Sequence, residues 1–517
     1  MSSADTAKII MAAVVLPDAE TPGGLTDHAV LVRGDRIERI APRAAFLGHA
    51  RGAEVVDLGD VVLMPGLVNA HQHGRAVSTL QLGQADDRLE PYLVTSRLRR
   101  LLDPRINVGL VCARFLAGGV TTTVQTNTPL GSGDYEGELR AMIEAYDQAG
   151  LRAGIAVGCM DRGHVLYDDG ETPGFVASLP PSAARLTDGA AKQLYAGGAT
   201  ETVALADRLR RAFEGHDRLQ IGYGPAGPQW ASDEMLGAIA KHADRHGLFV
   251  HFHGMESLAQ AAVTAKLYPE GFLAHLRTLG LANSRTSVGH AVWMTEADAV
   301  IAAQTGVTFV RNPSSNLRLY NGAAPFGEYF RLGVPLAIGT DNLCLGDSED
   351  FLAEVRLAGA LAASPLLDAP PGPASADLFA MATVGGARML GLRDVGRITP
   401  GWRADMTAIS AASLRGVWTS DRVSVLDLVI QRGQASDVRW TMVGGRVLYD
   451  RGEFTTLDLH ALETQAREAL HRSSVTADLG PVFELAGATA AHYRDHSPLA
   501  LLQGHWRPLA LDPTRRF

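Results

Sequence analysis

Between about residue 66 and residue 395 the chain repeats one alternation: an apolar run of strand length, then a longer stretch with helical periodicity. "GVTTTVQTN" is strand-like, "DYEGELRAMIEAYDQAGL" is an amphipathic helix, and "RAGIAVGCM" is a strand again. "RLQIGYGP", "LFVHFHG", "TSVGHAVWM", "GVTFVRNP" and "GVPLAIGTDN" continue the series, and "SDEMLGAIAKHADRHG" is a helix opening on a Ser232 cap. Strands and helices alternating over roughly 300 residues imply a parallel sheet, and the count suits a closed TIM-like (β/α)8 barrel.

The two ends of the chain have a different texture. The first sixty or so residues are short apolar runs cut by turns: the run from Ile9 to Leu16 reads as a strand, and "HAVLVRGDRIERIAP" as a hairpin turning at Gly34-Asp35. Past residue 395, "VGRITPGWRADMTAIS" and "WTMVGGRVLYDRGEF" return to short β runs. Both ends are therefore expected to build one small β-sandwich. The expected organisation is residues 1–62 (first part of the small β domain), 63–395 (metal-dependent barrel), 396–455 (second part) and 456–517 (a helical extension and tail). The tail, ending "LLQGHWRPLALDPTRRF", carries no readable chemistry and is expected to serve packing or subunit contact.

Charge and cysteine usage exclude several classes. A net charge of −9 without clustered Lys and Arg argues against nucleic-acid or anionic-membrane partners. The Arg-rich "RLRRLLDPR" reads as a solvated helix end. Cys112, Cys159 and Cys344 are too few and scattered for a disulfide framework, which suits a reducing compartment. No stretch approaches the ~20 apolar residues of a membrane span, and no leader frames the N-terminal run. A cytoplasmic enzyme with a small-molecule substrate is the expectation.

The chemistry concentrates at strand ends. In "NAHQHG", His71 and His73 are two apart and face the same way on a strand, so both imidazoles can reach one ion; alone, the pair is weak evidence, and two satisfied core or surface histidines are the commoner reading. "HFHGMES" poses the same question with His251 and His253. Barrel chemistry sits at the C-terminal ends of strands. Gly254 is expected to break the strand, leaving His253 at the mouth as the ligand. His251, ~6.6 Å deeper, would line the pocket or support it. Glu256, on the following loop, is placed for general acid/base work. His290 in "SVGHAVWM" and Asp341 in "PLAIGTDN" also end apolar runs, and an aspartate there is costly unless paired or bound to metal.

These motifs, together with "RNPSSNLRLYNG", "ATVGGARMLGL" and "GRITPGWRADM", resemble the amidohydrolase superfamily over about residues 7–455, in the branch of cytosine, guanine and adenosine-thioether deaminases and triazine hydrolases (chlorohydrolases). The resemblance implies one divalent metal, zinc with iron as the alternative, held by His71, His73, His253 and Asp341. It implies Glu256 as a proton shuttle, His290 orienting water or polarising substrate, and Asp341 helping the deprotonation. Binuclear relatives use a lysine at the fourth strand end, and "RLQIGYGPAGPQ" has none. The implied activity is a deaminase-like, metal-dependent hydrolysis releasing ammonia from an aminated N-heterocycle or cyclic amidine. The alternative is hydrolysis of a cyclic amide, a urea-type or N-acyl linkage, or a carbon–halogen bond at the same site. Relatives are often dimers or tetramers, so a homo-oligomer is expected. A non-enzymatic protein on a degenerate barrel is the remaining class, disfavoured by the intact ligand set.

The substrate pocket departs from the purine-deaminase pattern. Ala226 stands where nucleoside-type relatives commonly have histidine and guanine deaminases arginine, so a substrate other than a common nucleobase is expected. Gln229 and Trp230 could supply an amide pair and a stacking face, or Trp230 could simply pack. In the segment "GRAVSTLQLGQADDRLEPYLVTSRLRR", which matches the family's substrate-covering loop, Arg75 could bind an acidic or carbonyl group or pair with Asp86 or Asp87; Tyr92 there and Asn316 in "RNPSSNLRLYNG" complete the substrate-binding candidates. His216, His242 and His246 read as ordinary surface or packing residues.

Overall fold

A computed structural model describes residues 7–46, 52–96, 102–188, 195–342, 347, 350–363, 372–472 and 479–495. Its centre is an eight-stranded parallel sheet in sequence order: β1 (Leu67–Gln72), β2 (Val120–Thr126), β3 (Arg152–Cys159), β4 (Leu219–Pro225), β5 (Val250–Gly254), β6 (Thr286–His290), β7 (Thr308–Arg311) and β8 (Leu336–Ile338). Most of these strands are buried along their whole length, as a parallel sheet covered by helices requires. The ring closes through a parallel bridge between Gln72 and Asp341, with Asp341 N donating to the His71 carbonyl at 2.9 Å. Gly339 makes that approach possible: a Cβ there would lie 2.7 Å from His71 Cβ and 2.8 Å from its backbone nitrogen.

The covering helices begin and end as their sequences dictate. Ser232 accepts from Met235 N to cap Asp233–His246, which ends on left-handed Gly247 (φ +64°). Asp134 likewise caps Tyr135–Ala149. Both bury an apolar stripe against the barrel.

Both chain ends form the small sandwich. Its four-stranded sheet runs Arg36–Pro42, His28–Arg33, Ala7–Met11, Ala53–Asp57, and its seven-stranded sheet joins Val14–Val15 and Val61–Pro65 to Met406–Ser410 and Val438–Val443. Ile10, Val30 and Val32 from one sheet meet Leu63, Met406 and Trp440 from the other. The run from Ile9 to Leu16 is thus not one strand: it passes from one sheet to the other after Met11, so its apolar residues serve both layers.

The sandwich is pinned to the barrel by a buried ion pair. Arg152, opening β3, reaches Asp405 with Nε 2.7 Å from Oδ2 and Nη2 3.2 Å from Oδ1. Asp405 also accepts from Gly444 N at 2.7 Å. Removing one partner of such a pair strands the other charge in the interior. Asp405→Ala is therefore expected to lower stability by about 3–5 kcal/mol, read as a drop in the denaturant midpoint at fixed metal concentration; a change within experimental error would show the pair to be dispensable.

Helix Leu459–Arg472 packs on Pro104–Ala117, and helix Gly480–Asp495 on Leu89–Thr95 near the barrel mouth. The tail from residue 496, Cys344 and the segment 97–101 with most of the Arg-rich run lie outside the described residues. Cys112 and Cys159 are buried and free. No helix among the described residues is long and apolar enough to cross a membrane.

Candidate metal centre and active site

Five side chains converge at the open end of the barrel, each delivered by a strand's C-terminal end or the turn after it. His71 lies in β1 and His73 just beyond it, His253 near the end of β5, His290 at the end of β6, and Asp341 after β8. Asp341 Oδ1 is 3.0 Å from His73 Nε2 and 3.4 Å from His71 Nε2. His253 Nε2 lies 3.2 Å from His73 Nε2. His71, His73 and His253 offer ligand atoms within 4.8 Å of one another, as do His71, His290 and Asp341.

The turns bearing these groups depart from ordinary strand ends. Met255 (φ +51°), His290 (+68°), Ala291 (+47°) and Asp341 (+59°) all adopt left-handed backbone conformations, each costing roughly 1–2 kcal/mol for a residue with a Cβ. Gly254 does not break β5, as the sequence suggests; it is the last strand residue, and the break falls at Met255. Nor does Asp341 end the last strand: β8 stops at Ile338, and Asp341 is aimed by the bridge to β1. Main-chain bonds from Ala291 N to the Gly254 carbonyl (3.1 Å) and from Trp293 N to the Met255 carbonyl (3.0 Å) lock the β5 and β6 turns together.

Hydrogen bonds behind the rings set which nitrogen carries each proton. The Thr126 carbonyl, 2.9 Å from His73 Nδ1, can only accept, so Nδ1 carries a proton and Nε2 is the nitrogen turned to the centre. His71 Nδ1 is 2.6 Å from His251 Nε2, and His251 Nδ1 is 2.7 Å from Ser287 Oγ. A relay with both Nδ1 atoms donating satisfies this chain and leaves His71 Nε2 facing Asp341 as a lone pair. His251 thus stands behind His71, buried, as a support. Ser315 Oγ donates to Asp341 Oδ2 at 2.5 Å, leaving Oδ1 buried without a hydrogen-bond partner, like His71 Nε2 and His290 Nε2.

Burial drives the His71 pKa down to about 4 against the opposing pull of Asp341. Burial also pushes His251 and His253 well down, helped by neighbouring histidines, and lowers His290. Burial pushes Asp341 the other way, but the His71 and His73 rings beside it outweigh this and hold it well below the usual carboxylate range. Burial thus favours the uncharged form of His71, His253 and His290 beside one carboxylate oxygen, and with His73 these nitrogens are the kind of donors a divalent metal takes. The orphaned His71 Nε2 and Asp341 Oδ1 fit such an ion.

A sequence profile of the Amidohydrolase family matches residues 62–448. The chain belongs to the amidohydrolase family. It is 28% identical over 453 residues to a 5-methylthioadenosine/S-adenosylhomocysteine deaminase of Desulfitobacterium hafniense (strain Y51), covering 87% of this chain and 95% of that protein. Identity to a 5'-deoxyadenosine deaminase of Methanothermobacter thermautotrophicus is 27% over 442 residues, covering 86% and 94%. Among solved structures, an adenosine deaminase from Xanthomonas campestris with bound zinc superposes with a TM-score of 0.73 at 27% identity, covering 90% of this chain and 98% of that one. Atrazine chlorohydrolase from Arthrobacter aurescens TC1 shares the fold, with a TM-score of 0.73 at 23% identity over 90% of this chain and 100% of that one. This amidohydrolase is accordingly a hydrolytic enzyme acting on carbon–nitrogen bonds.

Beside the donor set, Glu256 is buried with Oε1 accepting from Asn321 Nδ2 at 2.9 Å and lying 3.6 Å from His290 Nδ1. Burial raises its pKa well above the carboxylate norm, and the charges of Asp341 and Glu90 add to this. Asn316 is not free to bind substrate through its carbonyl: Oδ1 is 2.9 Å from His290 Nδ1 and so fixes that ring. Ser315, Asn316 and Asn321, all from "RNPSSNLRLYNG", thus hold Asp341, His290 and Glu256 in turn. Sequence reasoning found the motif but missed the positioning roles of Ser315 and Asn321.

The other substrate-binding candidates separate. Gln229 is fully buried, and both amide atoms lack a hydrogen-bond partner. Trp230 is committed to packing: Nε1 donates to the Gly163 carbonyl at 3.1 Å, and its ring meets Tyr167 edge-on at 5.3 Å. Tyr92 is buried against Leu89 and Leu319. Arg75 is half-buried and acts electrostatically on the Tyr195 phenol, while Asp86 pairs with Arg318 at 2.8 Å. Away from the centre, Asp207, His242 and His246 also cluster at metal-ligand spacing. There the Asp207 oxygens pair with Arg210 and Arg211, a cationic setting that disfavours an ion.

Proposed function

We propose that this amidohydrolase is a mononuclear, zinc-dependent aminohydrolase that removes ammonia from an aminated N-heterocycle or cyclic amidine. His71, His73, His253 and Asp341 would hold the ion. When bound, it supplies Lewis-acid activation that brings the pKa of water towards neutrality. The observation that carries the reading is Glu256: a buried carboxyl beside the donor set, held by Asn321 and facing His290.

The chain's own groups divide the reaction between them. Glu256 takes a proton from the attacking water as its oxygen bonds to the amine-bearing carbon, then delivers that proton to the nitrogen as the C–N bond breaks. A protonated leaving group matters because an amide ion is too basic to depart. His290, its Nδ1 satisfied by Asn316, turns Nε2 into the site as an acceptor that orients the water or the substrate. Asp341 takes the second proton of that water as the carbonyl forms and passes it on to the ring nitrogen, which received the C=N electrons during attack, so that both protons of the water end on nitrogen. Gln229, with two unpaired amide atoms, is suited to a donor–acceptor edge of the ring.

The relatives' names favour adenine-bearing nucleosides as the first compounds to try. Ala226 differs from the purine-deaminase pattern and favours a substrate beyond guanine and cytosine. The test is ammonia release by zinc-loaded protein across adenosine-type nucleosides, guanine, cytosine, aminotriazines and smaller cyclic amidines. We expect one class to be turned over, with guanine and cytosine poor. Strong turnover of guanine or cytosine would overturn the substrate reading. Silence across the panel from protein carrying about one ion per chain would shift the reaction to amide, urea or halide hydrolysis.

A further inference from the structure

The helix Gly480–Asp495 lies beyond the residues matched by the family profile, yet it packs against the cover of the barrel mouth. Its Val482, Leu485 and Ala486 share an apolar cluster with Val94 from the segment after β1 and Leu166 and Phe175 from the segment after β3. Two polar contacts flank this cluster: His492 Nε2 to Glu171 Oε2 at 2.9 Å and Ser182 Oγ to Glu484 Oε2 at 3.0 Å.

From this helix a line of hydrogen bonds runs inward. Tyr493 Oη accepts from Tyr167 N at 2.9 Å, with the two rings 5.2 Å apart. Tyr167 Oη donates to Glu90 Oε1 at 3.2 Å. Glu90 Oε1 also accepts from Ser257 Oγ at 2.5 Å. Ser257 follows Glu256 directly and caps the next helix by accepting from Gln260 N at 3.1 Å. Gln260 Oε1 in turn accepts from Glu256 N at 3.0 Å. The first three bonds join four segments, the C-terminal helix, the β3 loop, the β1 loop and the turn that presents Glu256, and the last two lie within that turn and the helix it opens.

We propose that Glu90 is a positioning residue for Glu256, set in place from the C-terminal helix through Tyr493 and Tyr167. A purely packing role for this helix would need only its apolar face. It would not need a half-buried carboxyl in the β1 loop whose partners are Tyr167 and Ser257, because withdrawing an acid from water without such partners is costly. Burial does raise the Glu90 pKa, and a neutral carboxyl keeps the acceptor this arrangement uses. The inference rests on Glu256 acting in the reaction proposed above.

The experiment uses full-length, zinc-loaded protein with Glu90→Ala, Glu90→Gln, Tyr493→Phe and the Glu90→Ala/Tyr493→Phe pair. Displacing a reacting group slightly costs rate rather than binding, so Glu90→Ala should lower kcat roughly tenfold or more with KM little changed. Glu90→Gln, which keeps the acceptor, should restore kcat to within about threefold. Tyr493→Phe should lower kcat in the wild-type background and add nothing in the Glu90→Ala background, because linked groups are not additive. Amide hydrogen exchange over residues 255–260 should speed up in Glu90→Ala and Tyr493→Phe. An unchanged kcat per folded, metal-loaded chain, or full additivity of the two substitutions, would overturn the proposal even if thermal stability fell. If the wild type releases no ammonia from any compound, the proposed reaction fails; the exchange measurement then decides the positioning role alone, and unaltered exchange overturns it.

Discussion

Substituting His253 with alanine is expected to empty the metal centre and take activity below detection, whereas His251→Ala should only weaken it. The two residues are two apart on the same strand and on the same face, so composition and spacing treat them alike. Geometry separates them. His253 Nε2 meets His73 Nε2 at 3.2 Å, inside the donor set, while His251 is wedged between His71 and Ser287 with both ring nitrogens engaged. Removing a ligand leaves an ion with too few donors. Removing a group that orients a ligand typically weakens metal affinity by about 10–100-fold, a loss that excess zinc can offset. Metal content after dialysis against a competing chelator, followed by activity at rising zinc, distinguishes the two. If His251→Ala lost the ion irrecoverably while His253→Ala retained it, the assignment of the donor set would be wrong.

The difference between these histidines also marks how far the sequence can be read. That His253 sits at the mouth follows from strand position alone, because a parallel barrel presents its chemistry at C-terminal strand ends. The eight strands and the return of both chain ends to one sandwich were legible for a similar reason: apolar periodicity reports burial, and burial here is continuous along most of the barrel strands. The break inside the run from Ile9 to Leu16 was not legible, since both halves are apolar and only the third dimension assigns them to different sheets. The place of Asp341 was half legible. Its residue type at the end of an apolar run signals an aimed carboxylate, but the left-handed turn and the bridge to Gln72 depend on β1 lying alongside, with Gly339 letting the backbones meet. Asn316 reads as a pocket residue and also supports His290: its Oδ1 faces that ring while its Nδ2 has no partner, because the segment after β7 brings its amides to neighbouring strand ends. Glu90 carried no signal at all; only the fold brings it to Ser257.

Glu256→Gln is expected to lower kcat by about 10²–10⁴-fold, the usual worth of a positioned acid/base, while leaving the metal content unchanged. Glutamine keeps the size of the side chain and the Oε1 acceptor that Asn321 uses at 2.9 Å, so the turn should hold; what disappears is the ability to take and return a proton. The pH profile gives an independent check. Burial raises the Glu256 pKa, with Asp341 and Glu90 adding to the shift, and a cation on the donor set pulls it back down. The reaction begins with the ionised carboxylate, so kcat/KM should rise with pH through that perturbed pKa and level off above it. In Glu256→Gln the rising limb should vanish along with most of the rate. Two results would count against the role. A variant within tenfold of wild type would mean that the leaving group needs no proton from this residue, which points to halide or another stable anion rather than ammonia. A variant that lost both rate and metal would mean that Glu256 helps to hold the ion, and the division between the donor set and the proton carrier would have to be redrawn.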